Sequence, residues 1–259
     1  HSYDAKVLAV RKVTTNKGKK TPGVDGELWS TPAAKMRGVL TLTDKGYKAK
    51  PLRRVFIEKK GKKAKRPLGI PCMYDRAMQA LYALALDPVS ETTADTKSFG
   101  FRKGRCAQDA CEYIFTALSR RNSPQWVLEG DIKGCFDHIS HDWLIEHIPM
   151  DKSVLKQFLK AGFIFERELF PTDEGTPQGG VISPILANMA LDGMQKVLSD
   201  RFHTNRLGKV DLRFKNAHKV NLVRYADDFI VTAATKEIAV EAKEIVRDFL
   251  QTRGLELSE

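Results

Sequence analysis

The sequence predicts an α+β fold organised around an antiparallel sheet, and three observations carry that prediction. Short β-branched and aromatic runs, Trp126-Val127-Leu128, Leu222-Val223 and Phe229-Ile230-Val231, have the composition of strands. Longer stretches place apolar residues at helical spacing, most clearly from Lys236 to Arg253. From residue 126 onward the order is therefore strand, helix, hairpin, helix, strand, which is the ferredoxin-like succession. At 259 residues and 42% hydrophobic content, the chain is long enough for one large domain or two small ones. No apolar run approaches the roughly 18 residues of a membrane span.

Taken in order, residues 5–15 carry a weak helical pattern (Ala5, Val7, Leu8, Val10, Val13). Asn16 to Gly26 form a Lys- and Gly-rich loop ending Thr21-Pro22-Gly23-Val24-Asp25-Gly26, where Pro-Gly and Asp-Gly signal turns. Such a loop serves equally as a connector or as a track for a phosphate backbone. Arg53-Arg54-Val55-Phe56-Ile57 and Pro67-Leu68-Gly69-Ile70 read as two strands joined by a cationic tip. That tip suits either a triphosphate clamp or a protective sheet edge. Tyr74 to Leu86 reads as a helix stopped by Pro88, and Cys106 to Arg121 as another. Between them, Phe99-Gly100-Phe101-Arg102-Lys103-Gly104 has the composition of a base-stacking loop or of a core plug.

Trp126 to Ile132 reads as a buried strand with Asp131 near its end. A charged residue there needs a partner, either a turn to cap or a metal to bind. Ser140 is placed to cap a short helix, and residues 154–170 read as a helix followed by an extended run. Thr176-Pro177-Gln178-Gly179-Gly180-Val181 is a Gly-rich loop ahead of Ser183-Pro184, a helix start predicted to run to about Leu198. Free amides at such a start, with glycines beside them, let a ligand approach the backbone. Gly254 closes the Lys236–Arg253 helix, and Leu255 to Glu259 begins a further strand.

Charge is unevenly spread. Residues 1–66 hold 19 Lys/Arg against 5 Asp/Glu, whereas the whole chain is +11. A basic first third on a near-neutral body points to a polyanion-binding surface. The four cysteines show no CxxC spacing, which fits free thiols in a reducing compartment. His138 and His141 lack further ligands for zinc. Asp227 and Asp228 sit in a tight turn between two strands, exposed on a rigid support. In a ferredoxin-like arrangement Asp131 lies beside that turn. Three carboxylates from two distant segments then offer hard oxygen ligands for two Mg²⁺ ions, with Mn²⁺ the alternative ion.

These motifs together resemble the group II intron-encoded reverse transcriptases, the intron maturase family, over essentially the whole chain. The resemblance rests on Thr21–Gly26, Arg66-Pro67-Leu68-Gly69-Ile70-Pro71, Gly130-Asp131-Ile132-Lys133-Gly134-Cys135-Phe136-Asp137, Thr176–Pro184 and Tyr225-Ala226-Asp227-Asp228, in that order. It implies a right-hand polymerase with fingers and a ferredoxin-like palm: an N-terminal extension and start of fingers (1–50), fingers (51–125) and palm (126–259). Family members continue past this point into a thumb. The resemblance makes Asp131, Asp227 and Asp228 the catalytic metal-binding acids and Phe136 a steric gate against a ribose 2′-hydroxyl. It places Gln178 at the nascent base pair and Arg66 on the triphosphate, with Lys59 or Lys60 as its partner. Lys17, Lys19, Lys20, Arg53 and Arg54 are the expected nucleic-acid contacts. The implied partners are group II intron RNA, an RNA template with a DNA primer, and dNTPs, with no membrane. The implied setting is the bacterial cytoplasm or an organelle. Nothing in the sequence specifies a homodimer.

Other readings are an intron RNA-binding splicing cofactor without effective polymerase activity, a retron- or defence-type reverse transcriptase, and a palm-fold cyclase or nuclease. The last leaves Phe136 and the Gln178 loop unexplained. The Thr21–Gly26 and Thr176–Pro184 runs favour the intron family over the retron.

Overall fold

A computed structural model describes residues 1–58, 65–204 and 217–258. In chain order its first half holds α1 (Tyr3–Thr15), a 3₁₀ turn (Lys17–Lys20), α2 (Pro32–Thr41), β1 (Leu52–Glu58), β2 (Lys65–Ile70), α3 (Met73–Thr93), α4 (Ala107–Leu118) and β3 (Trp126–Gly130). Next come α5 (Cys135–His138), α6 (His141–His147), α7 (Lys152–Leu159), β4 (Phe163–Phe165), β5 (Glu168–Phe170), α8 (Ser183–Leu191), α9 (Met194–Phe202), β6 (Asn221–Tyr225), β7 (Asp228–Ala233) and α10 (Lys236–Gln251). Lys59, Lys60 and the rest of the cationic tip lie outside the described residues.

The chain forms two compact units, His1–Val89 with Phe136–Leu186, and Ser90–Cys135 with Ala187–Glu259. In the first, the sheet order is β2-β1-β4-β5. β1 pairs antiparallel with β2 and parallel with β4, through Leu52↔Phe163 and Arg53↔Ile164. That parallel pairing draws residues 136–186 to the N-terminal segment, so the units cut across a linear division at residues 50 and 125. Helix α2 begins as helices do, with Thr31 accepting from the Ala34 amide at 3.2 Å and Pro32 at its first position. The turn at Lys17–Lys20 is tied down from below. Buried Arg76 donates to the carbonyls of Pro71 (2.8 Å), Gly18 (3.1 Å) and Thr21 (2.6 Å).

The second unit has the sheet order β3-β7-β6, all antiparallel. Leu257 bridges Ile132 antiparallel, which adds a fourth position outside β3. Numbered in chain order the strands lie 4-1-3-2, and the ferredoxin-like succession is realised. On one face, α4 packs against β6; on the other, α10 packs against β3 and β7. α10 is amphipathic and buries Ala242, Val246, Phe249 and Leu250.

Three elements differ from the sequence reading. α3 runs through Pro88 to Thr93. A proline removes one amide bond, and the turn beyond it is held from outside: Ser90 is buried and its carbonyl accepts from Arg102 at 3.3 Å. β3 is not a buried strand, since Trp126 and Val127 are 44% and 47% exposed. Among the described residues it has a partner strand only on its β7 side over residues 126–130. Finally, the helix expected to reach Leu198 breaks after Leu191. Gly193 takes φ +100°, and Asp95 accepts the Gly193 and Gln195 amides at 3.1 Å each, starting α9 afresh.

Candidate active site

Asp227 and Asp228 stand at the tip of the β6–β7 hairpin. Tyr225 pairs with Asp228, so Ala226 and Asp227 are the two loop residues. Ala226 has φ +59°, in the left-handed region that an alanine enters at about 1–2 kcal/mol. The hairpin is seated on residues 97–100. The Arg224 amide donates to Lys97 O and the Phe99 amide to Arg224 O, both at 2.9 Å. A Cβ on Gly100 would lie 2.3 Å from Ala226 N, so only glycine allows this approach.

The β3–β7 register brings in the third acid. Gly130 pairs with Phe229, which sets Asp131 alongside Asp228 one step beyond. Side chains alternate along a strand, so Glu129, Asp131 and Asp228 share the face that α4 covers. Glu129, Asp131 and Asp228 line a cleft of about 210 Å³, with Ala110, Ile114 and Tyr225. Burial raises the Asp228 carboxyl above its ordinary value, and the charges of Asp227, Asp131 and Glu129 add to the rise. Asp131 is itself fixed, its carbonyl accepting from the Ser258 amide at 2.8 Å and its Oδ2 from the Ser258 hydroxyl at 3.1 Å. Among the described residues no three His, Cys, Asp or Glu side chains form a ready-made metal cage. The donors nevertheless fit a divalent cation. They are hard oxygens at the adjoining ends of paired strands, and their mutual repulsion is what a dication relieves.

The hairpin rests on buried charge that the sequence reading did not single out. Arg224 is 0% exposed. It donates to Asn188 Oδ1 (3.0 Å), Ala226 O (3.1 Å) and Asp192 Oδ1 (2.7 Å). Arg102 grips both oxygens of Asp192, at 2.7 and 2.8 Å. Arg102 therefore belongs to the core, not to a base-stacking loop. The available signal was an arginine inside the apolar strand run Leu222-Val223-Arg224-Tyr225.

Phe136 and Gln178 belong to the other unit, where they line a cavity of about 330 Å³ with Arg54, Pro67, Gly69 and Asp137. Gln178 Nε2 donates to both Asp137 oxygens, at 3.1 and 3.0 Å, and the Gly69 amide donates to Gln178 O at 2.8 Å. The Gly-rich loop is not an open amide cradle. The amides of Gly175, Thr176, Gly180 and Val181 donate to Ile139 O, Phe136 O, Pro177 O and Gln79 Oε1. Arg54 lies 3.8 Å above the Phe163 ring. Burial pulls its pKa down, and the Asp137 charge pulls it back up. Arg66 is exposed and pairs with Ile57, so strand alternation puts its Cβ on the opposite face from Pro67. Lys17, Lys19 and Lys20 are exposed, whereas Arg53 is half-buried and bonded to Pro22 O at 3.0 Å.

The family model described as reverse transcriptase (RNA-dependent DNA polymerase) matches residues 57–259, and the N-terminal domain of reverse transcriptase matches residues 1–42. The group II intron-encoded protein LtrA of Lactococcus lactis is 30% identical over 99% of this chain and 52% of its own length. Protein YkfC of Escherichia coli is 32% identical over 90% of this chain and 69% of its own. A protein in the cob intron of Schizosaccharomyces pombe is 27% identical over 98% of this chain and 37% of its own. The chain thus spans about half the length of the LtrA relative. Telomerase from Candida albicans shares the fold, with a TM-score of 0.54 at 14% identity over 83% of this chain and 43% of that one. No helix among the described residues is long and apolar enough to cross a membrane. The chain belongs to the reverse transcriptase family.

Proposed function

We propose that this chain is the fingers and palm of an RNA-directed DNA polymerase encoded by a group II intron, which also binds intron RNA to assist splicing and mobility. The observation that carries the polymerase reading is the β3–β7 register, which sets Asp131 beside Asp228 at the hairpin tip next to Asp227. Asp131, Asp227 and Asp228 would hold two Mg²⁺ ions. When bound, these supply activation of a primer 3′-hydroxyl and neutralisation of the leaving pyrophosphate. The 3′-oxygen forms a bond to the α-phosphorus of a dNTP as the bond to the β-phosphate oxygen breaks.

The remaining roles are those the family resemblance implies, and the cavity lined by Phe136, Gln178 and Arg54 supports some of them. Phe136 stands in its wall and would crowd a ribose 2′-hydroxyl, favouring deoxynucleotides. Gln178, held by Asp137, presents a fixed edge to the nascent base pair. Arg54 offers a cation within that wall, while Arg66 and Lys59 remain candidates for the triphosphate. Exposed Lys17, Lys19 and Lys20 would meet RNA phosphates, and their turn is fixed by Arg76. The charge concentration in residues 1–66 also supports the second role, intron RNA binding. The reading places the protein with its intron, in a bacterial cytoplasm or an organelle.

The test is Asp131→Asn, assayed for Mg²⁺-dependent nucleotide addition on a primed RNA template and for RNA affinity. Addition is expected to vanish while affinity stays. Substantial retained addition would overturn the metal-site assignment.

A further inference from the structure

Beneath the hairpin tip, three hydrogen bonds and one close backbone contact join four residues in a ring. Arg224 Nη1 donates to Ala226 O (3.1 Å) and to Asn188 Oδ1 (3.0 Å). Asn188 Nδ2 donates to Gly100 O (2.9 Å), and Gly100 abuts the Ala226 backbone. Ala226 is the residue held at φ +59°, immediately before Asp227 and Asp228. A left-handed alanine relaxes unless its surroundings over-determine it, and this ring does so from both sides.

We propose that Arg224 is a positioning residue, which through Ala226 O and Asn188 locks the turn that presents Asp227 and Asp228. The proposal rests on the reading of these aspartates as catalytic. Asp192 is its counter-charge. Arg102 clamps Asp192 through both oxygens and is fixed in turn by Ser98 Oγ at 3.1 Å. The arrangement is poorly suited to stability alone. Two guanidiniums share one buried carboxylate, and buried ion pairs are commonly matched or bettered by apolar packing. What an apolar core cannot supply is a rigid planar fork reaching three acceptors at fixed angles. Lysine keeps the charge but not the fork, and this isolates geometry from charge.

The experiment compares wild type, Arg224→Lys and Asn188→Ala, with Asp227→Asn in parallel. The readouts are hydrogen exchange at residues 225–228, Mn²⁺ binding, melting temperature, and nucleotide addition against dNTP and Mg²⁺ concentration. In Arg224→Lys, exchange is expected to quicken at the turn while α10 stays protected. Mn²⁺ binding should weaken, kcat should fall about tenfold to a hundredfold, and the half-saturating Mg²⁺ should rise, with KM for dNTP unchanged. Asn188→Ala is expected to shift the same readouts less, and it leaves no buried charge unpaired, so it carries the test should the lysine variant not fold. Turn exchange and Mn²⁺ binding like wild type in the folded variants overturn the proposal whatever the activity. Activity loss that merely tracks the melting temperature does so too. Quickened turn exchange alongside an active Asp227→Asn leaves the positioning role standing and sinks the catalytic assignment instead.

Discussion

Replacing Gly100 with alanine is the sharpest perturbation of the hairpin seat. The added Cβ would lie 2.3 Å from Ala226 N and 2.9 Å from Ala226 Cα. Ordinary contact begins near 3.4 Å, so about 1 Å of separation must open. The obstacle is backbone, and it is pinned by the Phe99–Arg224 and Arg224–Lys97 hydrogen bonds at 2.9 Å each, so no rotamer change relieves it. Overpacking of this kind costs about 1–3 kcal/mol. Movement of Gly100 also strains the Asn188 bond to its carbonyl, a further loss of about 1 kcal/mol. For a chain of this size the sum of roughly 2–4 kcal/mol lowers the melting temperature by about 4–16 °C. A shift of the Asp227–Asp228 turn approaching 1 Å should cost about a hundredfold in nucleotide addition. Gly104→Ala is the control. Gly104 has φ +71° but nothing within 4 Å of its would-be Cβ, so alanine meets only the left-handed penalty of about 1–2 kcal/mol. Thermal melts and primer extension well below the melting point compare the two. Gly100→Ala extending primers at the wild-type rate would falsify the argument that residues 97–100 set the position of the turn.

Phe136→Ala should admit ribonucleotides, measured as the ratio of kcat/KM for dNTP and rNTP; an unchanged ratio removes the gate role. Asp75 gives a pH signature. It is buried, accepts from Tyr47 Oη (2.7 Å) and the Lys50 amide (3.3 Å), and burial nonetheless pushes its carboxyl up to about 6 from 3.8. The folded state therefore holds this proton more tightly than the unfolded state. The associated stability, about 3 kcal/mol at roughly 1.4 kcal/mol per unit, is present below pH 3.8 and lost as pH rises through about 6. Asp75→Asn should flatten that part of the denaturation-versus-pH curve, and an equal slope in both proteins refutes the assignment. RNA affinity should fall steeply with salt, and replacing Lys17, Lys19 and Lys20 with Gln should reduce the log–log slope by about one for each phosphate no longer neutralised. An unchanged slope moves the RNA surface elsewhere.

The sequence by itself determined the element order from Trp126 onward, the hairpin at Asp227 and Asp228, and the family. These are local or short-range facts. Turn chemistry, strand runs and a capped amphipathic helix are written in neighbouring residues, so the β6–β7 turn and α10 fall where the pattern puts them. Tertiary structure alone decided which distant segments share a face. The parallel pairing of Leu52 with Phe163 joins residues more than a hundred positions apart, and no periodicity announces it. The exposure of Trp126 and Val127 depends on which strands flank β3, whereas their apolar side chains read as core in isolation. Arg102 reads equally as a base-stacking cation or a core plug until Asp192, ninety residues away, supplies the counter-charge that lets it be buried. Arg54 reads as a strand residue and Arg66 as part of the cationic tip, but the pairing register and the two-residue pleat put Arg54 in the Phe136–Gln178 cavity wall and the Cβ of Arg66, now in β2, on the opposite face. Chemistry was legible where the acids adjoin in the chain. The support that aims them was not, because the ring of three hydrogen bonds and one backbone contact through Arg224, Asn188, Gly100 and Ala226 closes only in three dimensions.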